Sequence, residues 1–447
     1  MANKYFGTDG VRGRANVFPM TIDFAMKLAQ VIAPRLASAE PRIAIARDTR
    51  ISGSMLEAAM TAGFNAMGVE VLQLGVIPTP ALARLAPVLN VDMAVMISAS
   101  HNPYFENGIK LMNGQGHKLS DAEVGALEQA MAEETVYDRD KIAGTVNREE
   151  AINRYLQDLD ALMPSPAALK GLKLVLDCAN GAFSAIAPAV FKKYGAEVIV
   201  LADRPDGYNI NKDCGSTHPE KMMQTVAAEK AALGIAVDGD GDRIIVCDEQ
   251  GHKLDGDQII AFLAQYLQSE GKIKGNAVVS TIYSNRGLEK YLRSLGLDYY
   301  RTKVGERYVV EKMKEVGCNL GGEESGHMVA ADYAATGDGV VVGLLVCLGL
   351  LKSGRKMSEI FPIFQPLPAV LSRLRFEHAD KVQTAMQDAA FLAMIDEAKA
   401  TLGDRGFIVL RKSGTEPMVQ VLVQGDDEAE VRFLSEKLSA KAKSFDI

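Results

Sequence analysis

The chain has 447 residues, of which 48% are hydrophobic and 24% are charged, and its formal net charge is −8. This profile is typical of a globular protein with about three or four domains, and it shows no Lys/Arg-rich block that would indicate nucleic-acid binding. The five cysteines form no CxxC pair, which argues against a disulfide framework or a zinc site and favours a reducing compartment. The N-terminal residues lack the charged-then-apolar pattern of a secretion signal. We therefore expect a cytoplasmic protein.

A strand–loop–helix–strand unit is predicted three times along the chain. The opening strands are predicted at 42–46, 172–176 and 276–281, the helices at 54–67, 182–194 and 288–295, and the closing strands at 69–74, 196–201 and 297–302. Recurrence of this unit predicts three related α/β domains with mixed, largely parallel sheets.

In each unit a further strand ends in a loop of polar residues and glycines. The strands at 94–97, 234–237 and 318–320 lead into the segments 98–103, 238–243 and 321–327. Ligands of open α/β sheets bind beyond the carboxyl ends of the strands. We therefore expect the three loops to line one central cleft.

The stretch Val340–Leu351 is the longest apolar run of the chain. A helix needs about 20 apolar residues to span a bilayer, so this run is too short and predicts a buried helix capped by Asp338. No membrane partner is expected.

A smaller α+β domain is predicted at the C-terminus, where the composition changes. Strands are expected at 371–377 and 406–411 and helices at 380–401 and 427–444. The loop from Arg411 to Pro417 combines a guanidinium, hydroxyls and backbone N–H groups, the ingredients of a phosphate cradle. The predicted domains are 1–150, 151–250, 251–365 and 366–447.

Ser100 is the candidate nucleophile, because it lies in an exposed loop on a buried strand. Most Ser-His-Asn-Pro stretches are ordinary turns, so this signal alone is modest. A serine hydrolase is the weaker interpretation, since no Gly-x-Ser-x-Gly elbow surrounds Ser100 and Pro103 follows it.

Asp238, Asp240 and Asp242 alternate along the second loop, so their carboxylates can converge on one cation. Oxygen ligands favour Mg²⁺ or Ca²⁺ over zinc or copper. An EF-hand is rejected, because Arg243 stands at the sixth loop position, where a glycine is needed, and both flanks predict strands. A solvated acidic turn is the alternative to a metal site.

Glu323, Ser325 and His327 offer donors and acceptors suited to sugar hydroxyls, and glycines allow close approach. The alternative is a glycine-rich turn with a satisfied histidine. A serine, a metal loop, a polyol loop and a phosphate loop together favour phosphoryl transfer, which depends on positioning and charge neutralisation.

The four loops, in this order, resemble those of the α-D-phosphohexomutase superfamily, and the resemblance covers essentially the whole chain. The loops are 98–103, 238–243, 322–327 and 411–417. The stretches Phe6–Gly13 and Lys303–Val309 resemble the bacterial branch that acts on glucosamine phosphates.

The resemblance implies that Ser100 carries a phosphoryl group and passes it to glucosamine 6-phosphate. The resulting 1,6-bisphosphate would return its other phosphoryl group to Ser100 and release glucosamine 1-phosphate, for UDP-N-acetylglucosamine and cell-wall synthesis. One Mg²⁺ per active site would be held by Asp238, Asp240, Asp242 and a phosphoserine oxygen.

The resemblance also implies roles for the remaining loop residues. Lys110 is the best candidate for proton transfer, provided that Arg12 and Arg243 depress its pKa more than nearby anions raise it. The residues expected around the reacting oxygens are Arg12, Lys110, Arg243 and His327; those for the sugar hydroxyls are Glu323 and Ser325; those for the non-reacting phosphate are Arg411, Ser413, Gly414 and Thr415. The family suggests a homodimer.

Two rival functions share this cleft. The first is a phosphomannomutase or phosphoglucomutase on the same scaffold. The second is a non-catalytic sugar-phosphate sensor, which would not need Ser100, the three aspartates and Lys110 together.

Overall fold

Four β-sheets organise the protein in the computed structural model, which describes residues 5–138, 140–412 and 417–446. Three of the sheets mix parallel and antiparallel strands and belong to α/β units, and the fourth is a three-stranded antiparallel sheet near the C-terminus. The predicted fold class is confirmed. Within the described residues, no helix is both long and apolar enough to cross a membrane.

The first sheet has seven strands in the order β1-β2-β6-β5-β3-β4-β7. Its elements are β1 Phe6–Gly7, β2 Gly10–Arg14, α1 Ile22–Ile32, β3 Arg42–Arg47, α2 Gly53–Asn65, β4 Glu70–Val76, α3 Thr79–Val88, β5 Met93–Ile97, β6 Glu106–Asn113, α4 Asp121–Ala130 and β7 Thr145–Asn147. Alternate residues of β3 point to opposite faces: Ile43 and Ile45 pack with α1, α2 and α4, whereas Ala44 and Ala46 pack with α3. The sheet is therefore buried on both faces.

The second sheet has five strands in the order β12-β11-β10-β8-β9. Its elements are α5 Ile152–Asp160, β8 Lys173–Asp177, α6 Ala187–Lys193, β9 Glu197–Leu201, α7 Glu220–Glu229, β10 Leu233–Val237, β11 Ile244–Asp248 and β12 Lys253–Leu254. Strand β10 runs parallel to β8 and antiparallel to β11, so the segment between β10 and β11 is a hairpin loop at the carboxyl end of a parallel strand.

The third sheet has four strands in the order β14-β13-β15-β16. Its elements are α8 Gly256–Ser269, β13 Ala277–Thr281, α9 Arg286–Ser294, β14 Asp298–Thr302, α10 Glu306–Val316, β15 Leu320–Gly322, β16 Met328–Ala330, α11 Gly339–Ser353 and α12 Met357–Ile360. Helix α11 is the predicted buried apolar helix, and the Asp338 carboxylate caps it by accepting from the N–H groups of Val340 and Val341 at 3.0 Å each. That prediction is confirmed.

The C-terminal sheet has the order β17-β19-β18 and is covered by helices. Its elements are β17 Ala369–Arg375, α13 Ala379–Gln387, α14 Ala389–Leu402, β18 Gly406–Lys412, β19 Met418–Gly425 and α15 Glu428–Lys443. The single helix predicted at 380–401 is wrong, because Asp388 adopts an extended ψ of 118° and caps a second helix by accepting from the Phe391 N–H at 2.7 Å.

The three cleft loops occupy equivalent positions in the three α/β units. Each loop follows a strand that is parallel to a neighbouring strand of the same sheet, and leads into a strand that is antiparallel to the one before the loop. The loops connect β5 to β6, β10 to β11, and β15 to β16. A β-bridge between Arg243 and His327 joins the second and third loops. Strands β2 and β6 were not foreseen as strands, since their Gly, Arg and Asn content predicts loops.

Asp257, in the first turn of α8, is a buried carboxyl with an incomplete set of partners. Its Oδ2 accepts from the Asn285 N–H at 2.6 Å, and Oδ1 has no hydrogen-bond partner among the described residues. Burial raises the pKa of Asp257 to about 8. The folded protein therefore retains this proton at neutral pH, whereas the unfolded chain releases it near pH 4.

We expect the stability contributed by the Asp257 proton to be lost as the pH rises from about 4 to 8. Asp257→Asn keeps an oxygen acceptor for the Asn285 N–H and removes the titration. The free energy of unfolding of the variant relative to the parent should rise by on the order of 1 kcal/mol per pH unit between pH 5 and 8. Urea denaturation followed by circular dichroism measures it.

The matched control is Asp404→Asn, which makes the same substitution at an exposed aspartate of the C-terminal domain. Parallel pH profiles for the parent and Asp257→Asn would contradict the buried-proton explanation.

Candidate active site

Ser100 is held in an uncommon backbone conformation at the end of β5. Its φ is 55°, in the left-handed region, and its N–H donates to the Ser98 Oγ at 2.9 Å. The side chain is fully buried, and its Oγ donates to the Asp238 Oδ2 at 2.6 Å. Strained residues of this kind concentrate at functional sites. The serine loop and the acidic loop, 138 residues apart, are therefore in direct contact.

The acidic loop curls so that its three carboxylates face one another. The N–H groups of Gly241 and Arg243 both donate to the Asp238 Oδ1 at 3.1 Å. Asp238, Asp240 and Asp242 are fully buried, and each offers an oxygen within 4.8 Å of the others. The convergence expected from their alternation is present.

The three carboxylates have the donor chemistry of a site for a hard divalent cation. Burial and the neighbouring carboxylates raise the pKa of Asp238 to about 7, which reflects the mutual repulsion of the group. The Asp240 Oδ1 is buried and has no hydrogen-bond partner among the described residues. A set of three carboxylates that includes a buried, unpartnered oxygen fits Mg²⁺ or Ca²⁺.

Lys110 lies on β6 with its ammonium among carboxylates. Its Nζ is 2.6 Å from the Asp240 Oδ2, 3.0 Å from the Asp242 Oδ2 and 3.0 Å from the Asp9 Oδ2. Burial alone would lower the pKa of Lys110, but the three carboxylates outweigh it and hold the pKa well above its ordinary value. These surroundings favour a fixed positive charge. The proton-transfer role of Lys110 stays a prediction.

His327 connects the acidic loop with the predicted sugar-binding loop. Its Nε2 is 2.8 Å from the Asp242 Oδ1, and its Nδ1 is 3.0 Å from the Glu323 Oε2. Burial lowers the pKa of His327, but the effect of Asp242 and Glu323 is larger, and together they raise the pKa to about 9. The Arg243 Nε lies 3.3 Å from the His327 Nε2. The two carboxylates therefore favour the protonated form of the imidazole.

Glu323 is positioned by backbone and side-chain donors. Its Oε1 accepts from the Gly305 N–H at 2.8 Å, and the Ser325 Oγ lies 3.5 Å from its Oε2. A cavity of about 570 Å³ opens beside these groups, between the first and third domains. The predicted site residues that line this cavity are Arg12, Arg243, Glu323 and His327.

Three charged residues of the site were not predicted, of which Glu306 is buried and Asp9 and Lys118 are half-buried. Asp9 pairs with Arg12, and its Oδ1 lies 2.5 Å from the Lys118 Nζ, which is also 3.3 Å from the Glu306 Oε2. Asp9 and Glu306 belong to the stretches that carry the family resemblance, so a signal existed for them. Lys118 follows a glycine-rich turn and has no motif of its own.

Arg411 is placed away from the carboxylate cluster, on β18 of the C-terminal sheet. Its guanidinium lies 5.9 Å from the centre of the Tyr283 ring of the third domain. The predicted phosphate-binding residues Ser413, Gly414 and Thr415 lie outside the described residues. His101, next to the serine, has its Nδ1 3.3 Å from the Ser100 Oγ, and burial lowers the pKa of its imidazole to about 3.

Family models match the chain in four consecutive segments. Residues 3–138, 153–251 and 255–367 match the phosphoglucomutase/phosphomannomutase alpha/beta/alpha domains I, II and III, respectively. Residues 371–441 match the C-terminal domain of the same family.

Curated relatives match over nearly the full length. A protein of Rhodospirillum centenum named phosphoglucosamine mutase is 47% identical over 440 residues, covering 96% of this chain and 92% of the relative. A protein of Parvibaculum lavamentivorans with the same name is 46% identical over 437 residues, covering 96% of both chains.

Solved structures share the fold. A phosphoglucomutase/phosphomannomutase family protein from Burkholderia thailandensis superposes with a TM-score of 0.79 at 25% identity, covering 98% of this chain and 97% of that chain. An N-acetylphosphoglucosamine mutase from Aspergillus fumigatus, in complex with GlcNAc-6P and magnesium, has a TM-score of 0.68 at 17% identity and covers 100% and 96%. This chain therefore belongs to the phosphoglucomutase/phosphomannomutase family.

Proposed function

We propose that this protein interconverts glucosamine 6-phosphate and glucosamine 1-phosphate through a phosphorylated Ser100. The observation that carries the proposal is the contact of the Ser100 Oγ with Asp238 inside a buried cluster of three carboxylates and several cations. Relatives named phosphoglucosamine mutase, 43–47% identical over nearly the whole chain, support the choice of amino sugar.

The reaction exchanges one P–O bond for another in each half. The free C1 hydroxyl of glucosamine 6-phosphate attacks the phosphorus of phosphoserine, the bond from phosphorus to the Ser100 Oγ breaks, and the proton of the C1 hydroxyl passes to the Ser100 Oγ. After the 1,6-bisphosphate reorients, the Ser100 Oγ attacks the C6 phosphoryl group, the bond from phosphorus to the C6 oxygen breaks, and the Ser100 hydroxyl proton passes to the C6 oxygen. No phosphoryl group is gained or lost over the cycle.

Asp238, Asp240, Asp242 and an oxygen of phosphorylated Ser100 would hold one Mg²⁺. When bound, the ion supplies Lewis-acid neutralisation of the transferring phosphoryl group. A phosphoserine adds about −1.5 to −2 charges beside the three carboxylates, which strengthens the need for a cation there.

Fixed protein cations complete the electrostatic environment. The Lys110 ammonium and the His327 ring contact the carboxylates, and Arg12 and Arg243 line the cavity beside Glu323 and His327. Preorganised charges of this kind stabilise a transferring phosphoryl group without reorganisation during the reaction. Lys110 remains the proposed proton carrier, although its raised pKa favours the ammonium form.

Glu323 and Ser325 are proposed to bind the sugar hydroxyls, and the loop that begins at Arg411 is proposed to bind the non-reacting phosphate. That phosphate-binding set comprises Arg411, Ser413, Gly414 and Thr415. The four domain ranges expected from the sequence and a homodimeric assembly stay predictions.

Ser100→Ala should abolish mutase turnover, because no oxygen remains to carry the phosphoryl group. The melting temperature should stay close to that of the parent, since only one hydroxyl is removed. Activity is measured by a coupled assay and folding by circular dichroism. Ser54→Ala, which removes an exposed serine hydroxyl, is the control with unchanged activity. Near-parental turnover by Ser100→Ala would refute the mechanism.

Asp240→Asn should weaken Mg²⁺ binding by about 10- to 100-fold, because it removes one of three clustered negative charges. Isothermal titration calorimetry with MgCl₂ measures binding directly, and the Mg²⁺ dependence of turnover gives a second readout. The exposed Asp203→Asn is the matched control. Identical Mg²⁺ affinity in Asp240→Asn and the parent would show that Asp240 does not contribute to Mg²⁺ binding.

The choice of sugar separates this proposal from a phosphoglucomutase or phosphomannomutase on the same scaffold. We expect kcat/KM for glucosamine 6-phosphate to exceed the values for glucose 6-phosphate and mannose 6-phosphate by about tenfold or more. Equal or higher values for either neutral sugar would favour the rival enzyme. A sensor would show no turnover and no added phosphate on Ser100 by intact-mass measurement.

A further inference from the structure

A buried arginine that is outside the proposed catalytic group hydrogen-bonds to the turn that carries Ser100. Arg50 is 1% exposed, and its Nε donates to the Asp48 Oδ2 at 2.9 Å. Its four remaining N–H groups donate to backbone carbonyls of the serine loop. The acceptors are the carbonyls of Ser100 at 2.9 Å, Asn102 at 2.7 Å, Glu106 at 3.0 Å and Pro103. All five guanidinium donors are used.

An asparagine of the second domain also hydrogen-bonds to this turn. The Asn211 Nδ2 donates to the Ser100 carbonyl at 2.9 Å and to the Asn102 carbonyl at 3.1 Å. Both carbonyls therefore receive one N–H group from each domain. The Asn211 Oδ1 is buried without a partner among the described residues, so the side-chain hydrogen bonds described for this amide are those it donates to the turn.

Arg50 and Asn211 together form a clamp on the turn that carries Ser100, and parts of its backbone are strained. Asn211 has a φ of 56° and Ser100 a φ of 55°. Gly239 of the acidic loop packs so closely that a Cβ there would lie 2.7 Å from the Ser100 carbonyl oxygen and 2.8 Å from the Asn211 Nδ2. Donors on both carbonyls and a glycine against the turn restrain the backbone of Ser100, whose Oγ donates to Asp238.

We propose that Arg50 and Asn211 are positioning residues that hold Ser100 in its left-handed conformation and set the position of its Oγ for phosphoryl transfer. The inference deepens the proposed function and rests on it. Because Arg50 belongs to the first domain and Asn211 to the second, the clamp also fixes the nucleophile relative to the acidic loop. Neither side chain contacts the Ser100 Oγ in the structure, so both act through the backbone of the turn.

Asn211→Gly removes the side-chain amide but keeps the backbone conformation, since glycine adopts a positive φ without strain. We expect kcat to fall by about 10- to 100-fold, the usual effect of misplacing a reacting atom by about 1 Å. KM for glucosamine 6-phosphate should stay within about threefold, because no substrate contact is removed. Asn211→Asp keeps the size and the tolerance of positive φ but replaces the donor by an acceptor, and should lose at least as much.

The matched control is Asn180→Gly. Asn180 has a φ of 47° in the same domain, but its Nδ2 donates to the Asn209 carbonyl and not to the serine loop. If the asparagines act only by supporting local structure, both glycine variants should lose similar stability and similar activity. The proposal predicts similar melting temperatures and a defect in kcat for Asn211→Gly alone. Arg50→Lys, which keeps the charge but not the five donors, should resemble Asn211→Gly.

The decisive readout is the single-turnover rate of phosphoryl transfer from phosphorylated enzyme to glucosamine 6-phosphate, normalised to the phosphoserine content found by intact mass. A rate per phosphoserine that falls in Asn211→Gly and not in Asn180→Gly supports the clamp. Equal rates per phosphoserine in the parent, Asn211→Gly and Asn180→Gly overturn it and leave the proposed function intact. A parent enzyme that takes up no phosphate from glucosamine 1,6-bisphosphate overturns both.

Discussion

The site depends on balancing negative charge that the fold buries in one place. Two unit charges about 4 Å apart interact by about 4 kcal/mol at the effective dielectric typical of proteins, so three buried carboxylates require nearby cations. Lys110 and His327 contact the carboxylates directly and supply part of that charge. The remaining members of the network are the anions Asp9, Glu306 and Glu323 and the cations Arg12, Lys118 and Arg243. Phosphoserine and Mg²⁺ would join this existing balance.

One recurring strand arrangement brings the charges together. In each α/β domain, a parallel strand ends in the cleft loop and the chain returns through an antiparallel partner, which makes each loop a hairpin with two fixed ends. Loops anchored at both ends place side chains more precisely than free connections do. The β-bridge between Arg243 and His327 then ties two of the hairpins to each other.

Much of the site was predictable, because loops at strand ends can be recognised by their composition. Ser100, the three aspartates and the Glu323–His327 loop all follow apolar runs and carry groups with obvious chemistry. Lys118, Arg50 and Asn211 were missed as site residues, since they act through partners 50 or more residues away and no local pattern marks them. The break at Asp388 was missed because a single cap inside a helical pattern is a weak signal.

The amino-acid sequence by itself determined the repeated α/β units, the order of the four loops and the residue types that each loop carries. These follow from local periodicity and short-range composition. Only the tertiary structure decided which charges meet. Neighbouring arginines suggested a depressed pKa for Lys110, but contact with Asp9, Asp240 and Asp242 raises it. The sign of that shift depends on distances between residues over 100 positions apart, which no local pattern encodes.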